Sequence, residues 1–178
     1  FFENKALKSA SAHVKKNNST LHLMGLVSSG SVHSYIDHLY GLFEFAKREN
    51  IENVALHIFT DGKDSPPNEA AKFILQLEER MSAQKLGVIS TIIGRSYAMD
   101  RNENWEYTKK AYELLAYSAG EKINSVAEYL KKSYESGIND QSIEPAVLNF
   151  QPIKNGDAVL SFNFREDSAR QLTHAFID

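Results

Sequence analysis

The sequence contains no cysteine. That excludes a disulfide framework, a thiolate nucleophile and a cysteine-ligated zinc site, and it fits a protein of the cytoplasm, where disulfides are rare. No apolar run is long enough to cross a bilayer. Neither sign of charge dominates. Twenty Lys and Arg face 23 Asp and Glu, for a formal net charge of −3. Binding of nucleic acid or a membrane surface by bulk charge is therefore not expected. The first residues, "FFENKALKSA", have neither the apolar core of a signal peptide nor the look of a tag. There is no G-x-S-x-G elbow, no P-loop and no G-x-G-x-x-G. The serines of "SSGSVHS" (residues 28–34) are accordingly read as turn and capping residues rather than nucleophiles.

What is present is an ordinary globular composition, 42% hydrophobic and 24% charged over 178 residues. That length suits one domain spanning 1–178 with a core of useful size. Helical and strand patterns alternate. Residues 3–16 read as a helix, 21–27 as a strand and 33–49 as a helix with Ile36, Leu39, Tyr40, Phe43 and Ala46 on one face. Residues 54–59 read as a second strand. "SPPNEAAKFILQLEERM" follows as a helix, with Ser65 as its cap and the prolines in its first turn. A third strand is expected over 88–93 and two helices around Trp105–Leu115 and Val126–Tyr134. After these, "NGDAVLSFNF" reads as a turn and a strand, and a short helix starts near Asp167. Strands separated by helices predict an α/β domain with a mainly parallel central sheet covered on both faces, a three-layer α/β/α arrangement.

Each of the four strands runs into a polar loop: "SSGSVHS", "TDGKDSPP", "GRSYAMDRN" and "NFREDSAR". In an open parallel sheet such loops emerge at the carboxyl edge, where ligands bind. That edge would collect His33, Asp61, Lys63, Asp64, Arg95, Asp100, Arg101, Arg165 and Arg170. Cations arriving from separate loops suit an anionic ligand, and arginine offers carboxylate and phosphate a planar fork. For any one of these residues a plainer reading stands beside this, because Asp–Arg pairs often only pin loops. His57, inside "VALHIF", reads as a packed core histidine. His33, Asp37 and His38 lie close along the chain but lack a further ligand at metal spacing. The residues alone support an anion-binding α/β domain without a complete catalytic machine.

Taken together and in order, "FFENKAL", "LHLMGLVSSGSVHSYIDHL", "DGKDSPP", "GRSYAMDRNENWE" and "GDAVLSFNFREDSARQLTHAF" resemble cofactor-independent phosphoglycerate mutase over nearly the whole chain. The resemblance implies the inserted substrate-binding domain of that family. A phosphatase-like domain related to alkaline phosphatase, with two manganese ions and a transiently phosphorylated serine, would lie outside this chain. A start at Phe1 rather than Met carries the same expectation of a fragment, inactive by itself. The implied partners are 3-phosphoglycerate, 2-phosphoglycerate and the phosphatase-like domain of the same polypeptide, in a monomeric glycolytic and gluconeogenic isomerase. The resemblance carries substrate contacts onto His33, Lys63, Asp64, Arg95, Arg101 and Arg165, and proton transfer at the glycerate hydroxyl onto Asp64. It implies no metal ligand in this chain. A carboxylate flanked by arginines stays ionised and can accept a proton while the cations neutralise the substrate. Three departures stand out. "SDGGVHSH" is here "SSGSVHSY", "DGRD" is "DGKD" and "NFRPDRAR" is "NFREDSAR", so Ser168 stands where the family pattern has arginine. The competing reading is a stand-alone binding module for a phosphorylated small metabolite.

Overall fold

The protein, described here from a computed structural model, is defined over residues 1–177. Three seven-residue strands form the centre: β1 (Leu21–Val27), β2 (Val54–Thr60) and β3 (Val88–Gly94). Apart from Val88 every residue in them is buried, which is why they read as near-continuous apolar runs rather than alternating ones. Two two-residue strands, β4 (Glu121–Lys122) and β5 (Ala146–Val147), and the four-residue β6 (Ala158–Ser161) complete a sheet of order β4-β5-β3-β2-β1-β6. All pairings are parallel except β3 with β5.

Helices α1 (Lys5–Asn17), α2 (Ile36–Arg48), α3 (Ala70–Gln84) and α6 (Val126–Glu135) pack on one face around Leu39, Phe43, Ile74, Leu77 and Leu130. The single turn α4 (Arg95–Ala98), α5 (Trp105–Tyr117) and α7 (Arg170–Ile177) cover the other, around Leu114, Leu115 and Leu172. This is the three-layer α/β/α arrangement the sequence predicts.

Two helix starts differ from the sequence reading. α2 begins at Ile36, so His33 lies in the loop before it rather than in its first turn. α3 begins at Ala70, and Ser65 does not cap it. The cap comes from far along the chain: Asp140 Oδ2 accepts from the Glu69 and Ala70 amides at 2.7 and 2.8 Å. Pro66 and Pro67 lead into a turn before the helix and cannot continue it backwards.

His57 is the buried core histidine its sequence setting suggests, and it belongs to a line of polar groups threading the sheet. Asp157 Oδ2 lies 3.1 Å from His22 Nε2, His22 Nδ1 lies 2.9 Å from His57 Nε2, and His57 Nδ1 lies 2.8 Å from Thr91 Oγ1. A carboxylate only accepts, so His22 donates to it through Nε2. His57 then donates to His22, and the Thr91 hydroxyl to His57. Every group is satisfied with both rings neutral. Burial holds both imidazoles below the ordinary histidine value, His57 at about 3. The unfolded chain therefore binds protons that the native state refuses, and stability is lost as pH falls below about 6.5. From pH 7 to pH 5, urea denaturation should register a loss of roughly 2 kcal/mol from His57 alone. A flat profile across that interval contradicts the neutral pair.

Candidate functional site

The carboxyl edges of β3, β2, β1 and β6 all face one way, and β1 lies between β2 and β6. The chain reverses its progression across the sheet between β1 and β6, and such a switch point opens a crevice. Two loops meet there. The loop after β1 is fixed by Ser34 Oγ donating to Leu26 O and by Ser28 Oγ accepting from Gly30 N. Ser28 thus has the turn role read from the sequence, whereas no serine caps α2, whose N-cap is Tyr35 without a side-chain cap bond. The loop after β6 is stitched to it: Asn163 Oδ1 accepts from Leu26 N, and Phe164 N donates to His33 O.

Arg95, the first residue of α4, enters from β3. Its guanidinium is largely buried and bridges two acids of the β2 loop. Nη1 donates to Asp61 Oδ1 at 2.5 Å and to Asp64 Oδ2 at 2.6 Å. Asp61 Oδ1 also accepts from the Lys63 and Asp64 amides, closing the "DGKD" turn. Burial pushes the Asp61 carboxyl up, but Ser28, those amides and Arg95 outweigh it and hold it below the usual carboxylate value. Burial alone would loosen the proton on Arg95. Asp64 and Asp61 reverse that, so the guanidinium is held more firmly charged.

His33 approaches the same acid from the β1 loop, with Nε2 3.7 Å from Asp64 Oδ2. Its Nδ1 lies 2.7 Å from Ser168 Oγ, across the crevice. Burial, reinforced by Arg95, holds His33 below its ordinary value, so it is neutral near pH 7. His33, Lys63, Arg95, Arg101, Tyr107 and Ser168 are among the residues lining a polar cavity of about 200 Å³. Arg165 reaches this group through Asp167, whose Oδ2 it contacts at 2.9 Å and shares with Arg101.

The structure thus brings His33, Lys63, Asp64, Arg95 and Arg101 together and ties Arg165 to them through one carboxylate. Two residues collected with them from the sequence do other work. Arg170 points its guanidinium at Glu166, one helical turn back, and lines a separate cleft beside Trp105. Asp100 is spent on the following loop, accepting from Asn102 N, Asn104 N, Asn104 Nδ2 and Gln171 Nε2. His38 is turned edge-on to Tyr35 and Phe164, away from any metal-like grouping with Asp37. Among the described residues no three or more His, Asp or Glu are placed to hold a metal ion, and no helix is long and apolar enough to cross a membrane.

Sequence reasoning missed the turn that supports the site from behind, residues Asp140–Ser142. Thr60 Oγ1 donates to Asp140 O, and Gly94 N to Ile143 O. A side chain at Gly94 would stand 2.5 Å from Gln141 O. One at Gly62, where φ is +67°, would stand 2.7 Å from Gln141 N. The "DGKD" and "GRSYAMDR" loops can seat against this turn only because both positions are glycine.

The fold and the site define an α/β domain with a cation-lined crevice, carrying Lys63, Arg95 and Arg101, at the switch point of its parallel sheet. The chain belongs to the family described as the BPG-independent PGAM N-terminus, whose model matches residues 1–178. It is 46% identical over 183 residues to the 2,3-bisphosphoglycerate-independent phosphoglycerate mutase of Moorella thermoacetica and 44% identical to that of Listeria innocua. In each case all of this chain matches 36% of the relative's length. Among solved structures it is similar to the phosphoglycerate mutase of Leishmania mexicana, crystallised at low cobalt concentration. The TM-score is 0.93 at 26% identity, over 99% of this chain and 35% of that one. The chain spans about a third of the length of these relatives.

Proposed function

We propose that this chain is the substrate-holding domain of a phosphoglycerate mutase that interconverts 3-phosphoglycerate and 2-phosphoglycerate without a bisphosphoglycerate cofactor. The observation that carries the reading is the convergence of Arg95, His33, Lys63 and Arg101 on one small polar cavity, with Asp64 held beside it by Arg95 and near His33, in a chain whose relatives bear that name. Arg95, Arg101, Arg165 and Lys63 oppose the phosphate and carboxylate charges. Asp64 takes or returns the proton of a glycerate hydroxyl. It sits within the reach of Arg95, which positions it and offsets charge as it develops. Lys63 contributes a point charge rather than the two-pronged contact of arginine.

On this reading the phosphorylated serine, the two manganese ions and the phosphatase-like domain that carries them lie elsewhere in the same polypeptide, and the enzyme works as a cytoplasmic monomer. Among the described residues no three His, Asp or Glu are grouped to hold such an ion. Without that partner domain the chain binds substrate but does not turn it over.

Calorimetric titration with 3-phosphoglycerate, against inorganic phosphate as control, tests the reading. Phosphoglycerate should bind well above phosphate, and Arg101→Ala should weaken it roughly tenfold or more, the scale of one charge-assisted contact. Equal affinity for the two ligands would favour a general phosphate-binding module. Unchanged phosphoglycerate affinity in the alanine variant would remove Arg101 from the site.

A further inference from the structure

Ser168 stands in this chain where the family pattern has arginine, and its hydroxyl is buried between two partners. Ser168 Oγ is 3.2 Å from Asp167 Oδ1 and 2.7 Å from His33 Nδ1. A hydroxyl has one proton to give. Burial pushes the Asp167 carboxyl up, but the hydrogen bonds and charges of Arg165 and Arg101 together outweigh it and hold it below its ordinary value, so it can only accept. If Ser168 donates to Asp167, its lone pair must accept from a proton on His33 Nδ1. The opposite arrangement leaves Asp167 Oδ1 without that donor. It also puts the His33 proton on Nε2, where the nearest acid, Asp64 Oδ2, is at 3.7 Å and already takes Arg95, beyond hydrogen-bonding distance. The first arrangement satisfies Asp167 Oδ1, the Ser168 hydroxyl and His33 Nδ1, and leaves only the Nε2 lone pair, on the cavity side, without a donor.

We propose that Asp167 and Ser168 lock His33 as the Nδ1–H tautomer, so that its Nε2 lone pair faces the cavity as an acceptor for a ligand hydroxyl. Asp167 and Ser168 are positioning residues that act through His33. The inference rests on the mutase reading only in naming the hydroxyl as that of glycerate. Nε2 and Asp64 then present two acceptors 3.7 Å apart, between which a hydroxyl donor fits and a second anion does not. The arginines read the charges of the ligand, and the histidine distinguishes a hydroxy acid from its deoxy counterpart. A site whose buried polar group is left unpaired rejects the analogue that lacks the partner.

The tautomer is read directly from ¹⁵N resonances of histidine-labelled full-length protein near pH 7. His33 should show a pyrrole-type Nδ1 and a pyridine-type Nε2. In Asp167→Ala, which leaves every atom touching His33 in place, the Ser168 hydroxyl is free to turn and donate, and the proton should move to Nε2. Ser168→Ala should lose the Nδ1 preference as well. In parallel, the unmodified protein should bind 3-phosphoglycerate roughly fivefold to tenfold better than its 2-deoxy analogue, and Asp167→Ala should erase that ratio. A proton on Nε2 in the unmodified protein, or a tautomer unmoved in both variants, overturns the lock. A correct tautomer with no preference between the two ligands overturns its role in recognition. A correct tautomer in a protein that binds phosphoglycerate no better than phosphate leaves the lock standing and defeats the mutase reading instead.

Discussion

Arg95→Ala is expected to abolish phosphoglycerate turnover in the full-length enzyme and, separately, to destabilise this domain. The two effects have one cause. The guanidinium has a side-chain exposure of 10%, beside an Asp61 side chain exposed by 1%. Its removal leaves Asp61 and Asp64 facing each other with no cation between them. Breaking a buried pair by deleting one partner costs about 3–5 kcal/mol, because the remaining charge stays desolvated. For a domain of this size that lowers Tm by roughly 6–20 °C. Activity should fall by about a thousandfold or more, since the same residue both opposes the substrate anion and orients Asp64. Arg95→Lys separates the two. A lysine restores a positive charge among the acids and recovers much of the stability, but a single ammonium cannot reproduce the planar contacts, so turnover stays low. Thermal denaturation and steady-state assay of both variants check this. An alanine variant that melts and turns over as the parent does would dissolve the proposed site, since Arg95 is the residue that holds Asp61 and Asp64 in place beside the cavity.

The contrast between Arg95 and Arg101 shows how much of this was legible in the sequence. Both lie in "GRSYAMDR", and nothing local separates them. In the structure one is sealed between two acids, while the other is half exposed and paired with Asp167. The sheet was legible because buried parallel strands are apolar throughout, and β1, β2 and β3 are seven residues of that kind. β4 and β5 were not, because two residues carry no period. The edge where the candidate residues meet followed from topology alone. Which of them stay free for a ligand did not: Asp100 lines the cavity and Arg170 does not, and the partners that occupy them, Gln171 and Glu166, are set by the docking and winding of the last helix. The Ser168–His33 contact spans 135 residues, and no spacing rule reaches that far.

The same limit hid Asp140, whose replacement by alanine should be among the most damaging changes outside the cavity. Its carboxylate is buried and binds three donors from two helices. The Glu69 and Ala70 amides open α3, and the Tyr134 hydroxyl, 2.5 Å from Oδ1, lies on α6. Asp140→Ala orphans all three and removes the only observed cap of that helix start, for a loss of about 2–4 kcal/mol. Because the following residue, Gln141, supports the turns at Gly62 and Gly94 and lines the cavity, ligand binding should weaken with the fold rather than independently of it. Asp140→Asn should behave differently. An asparagine oxygen caps a helix as well as aspartate does, and its amide can donate to the tyrosine oxygen. Burial raises the Asp140 carboxyl above its ordinary value despite Tyr134 and the two amides. The unfolded chain therefore gives up this proton first, and stability is lost as pH rises from the ordinary aspartate value through the raised native one. The amide variant carries no such penalty. Chemical denaturation at pH 7 should find Asp140→Asn within about 1 kcal/mol of the parent and Asp140→Ala several-fold further below it. Equal losses in the two variants would show that the charge itself, rather than the hydrogen bonds it accepts, joins α3 to the floor of the site.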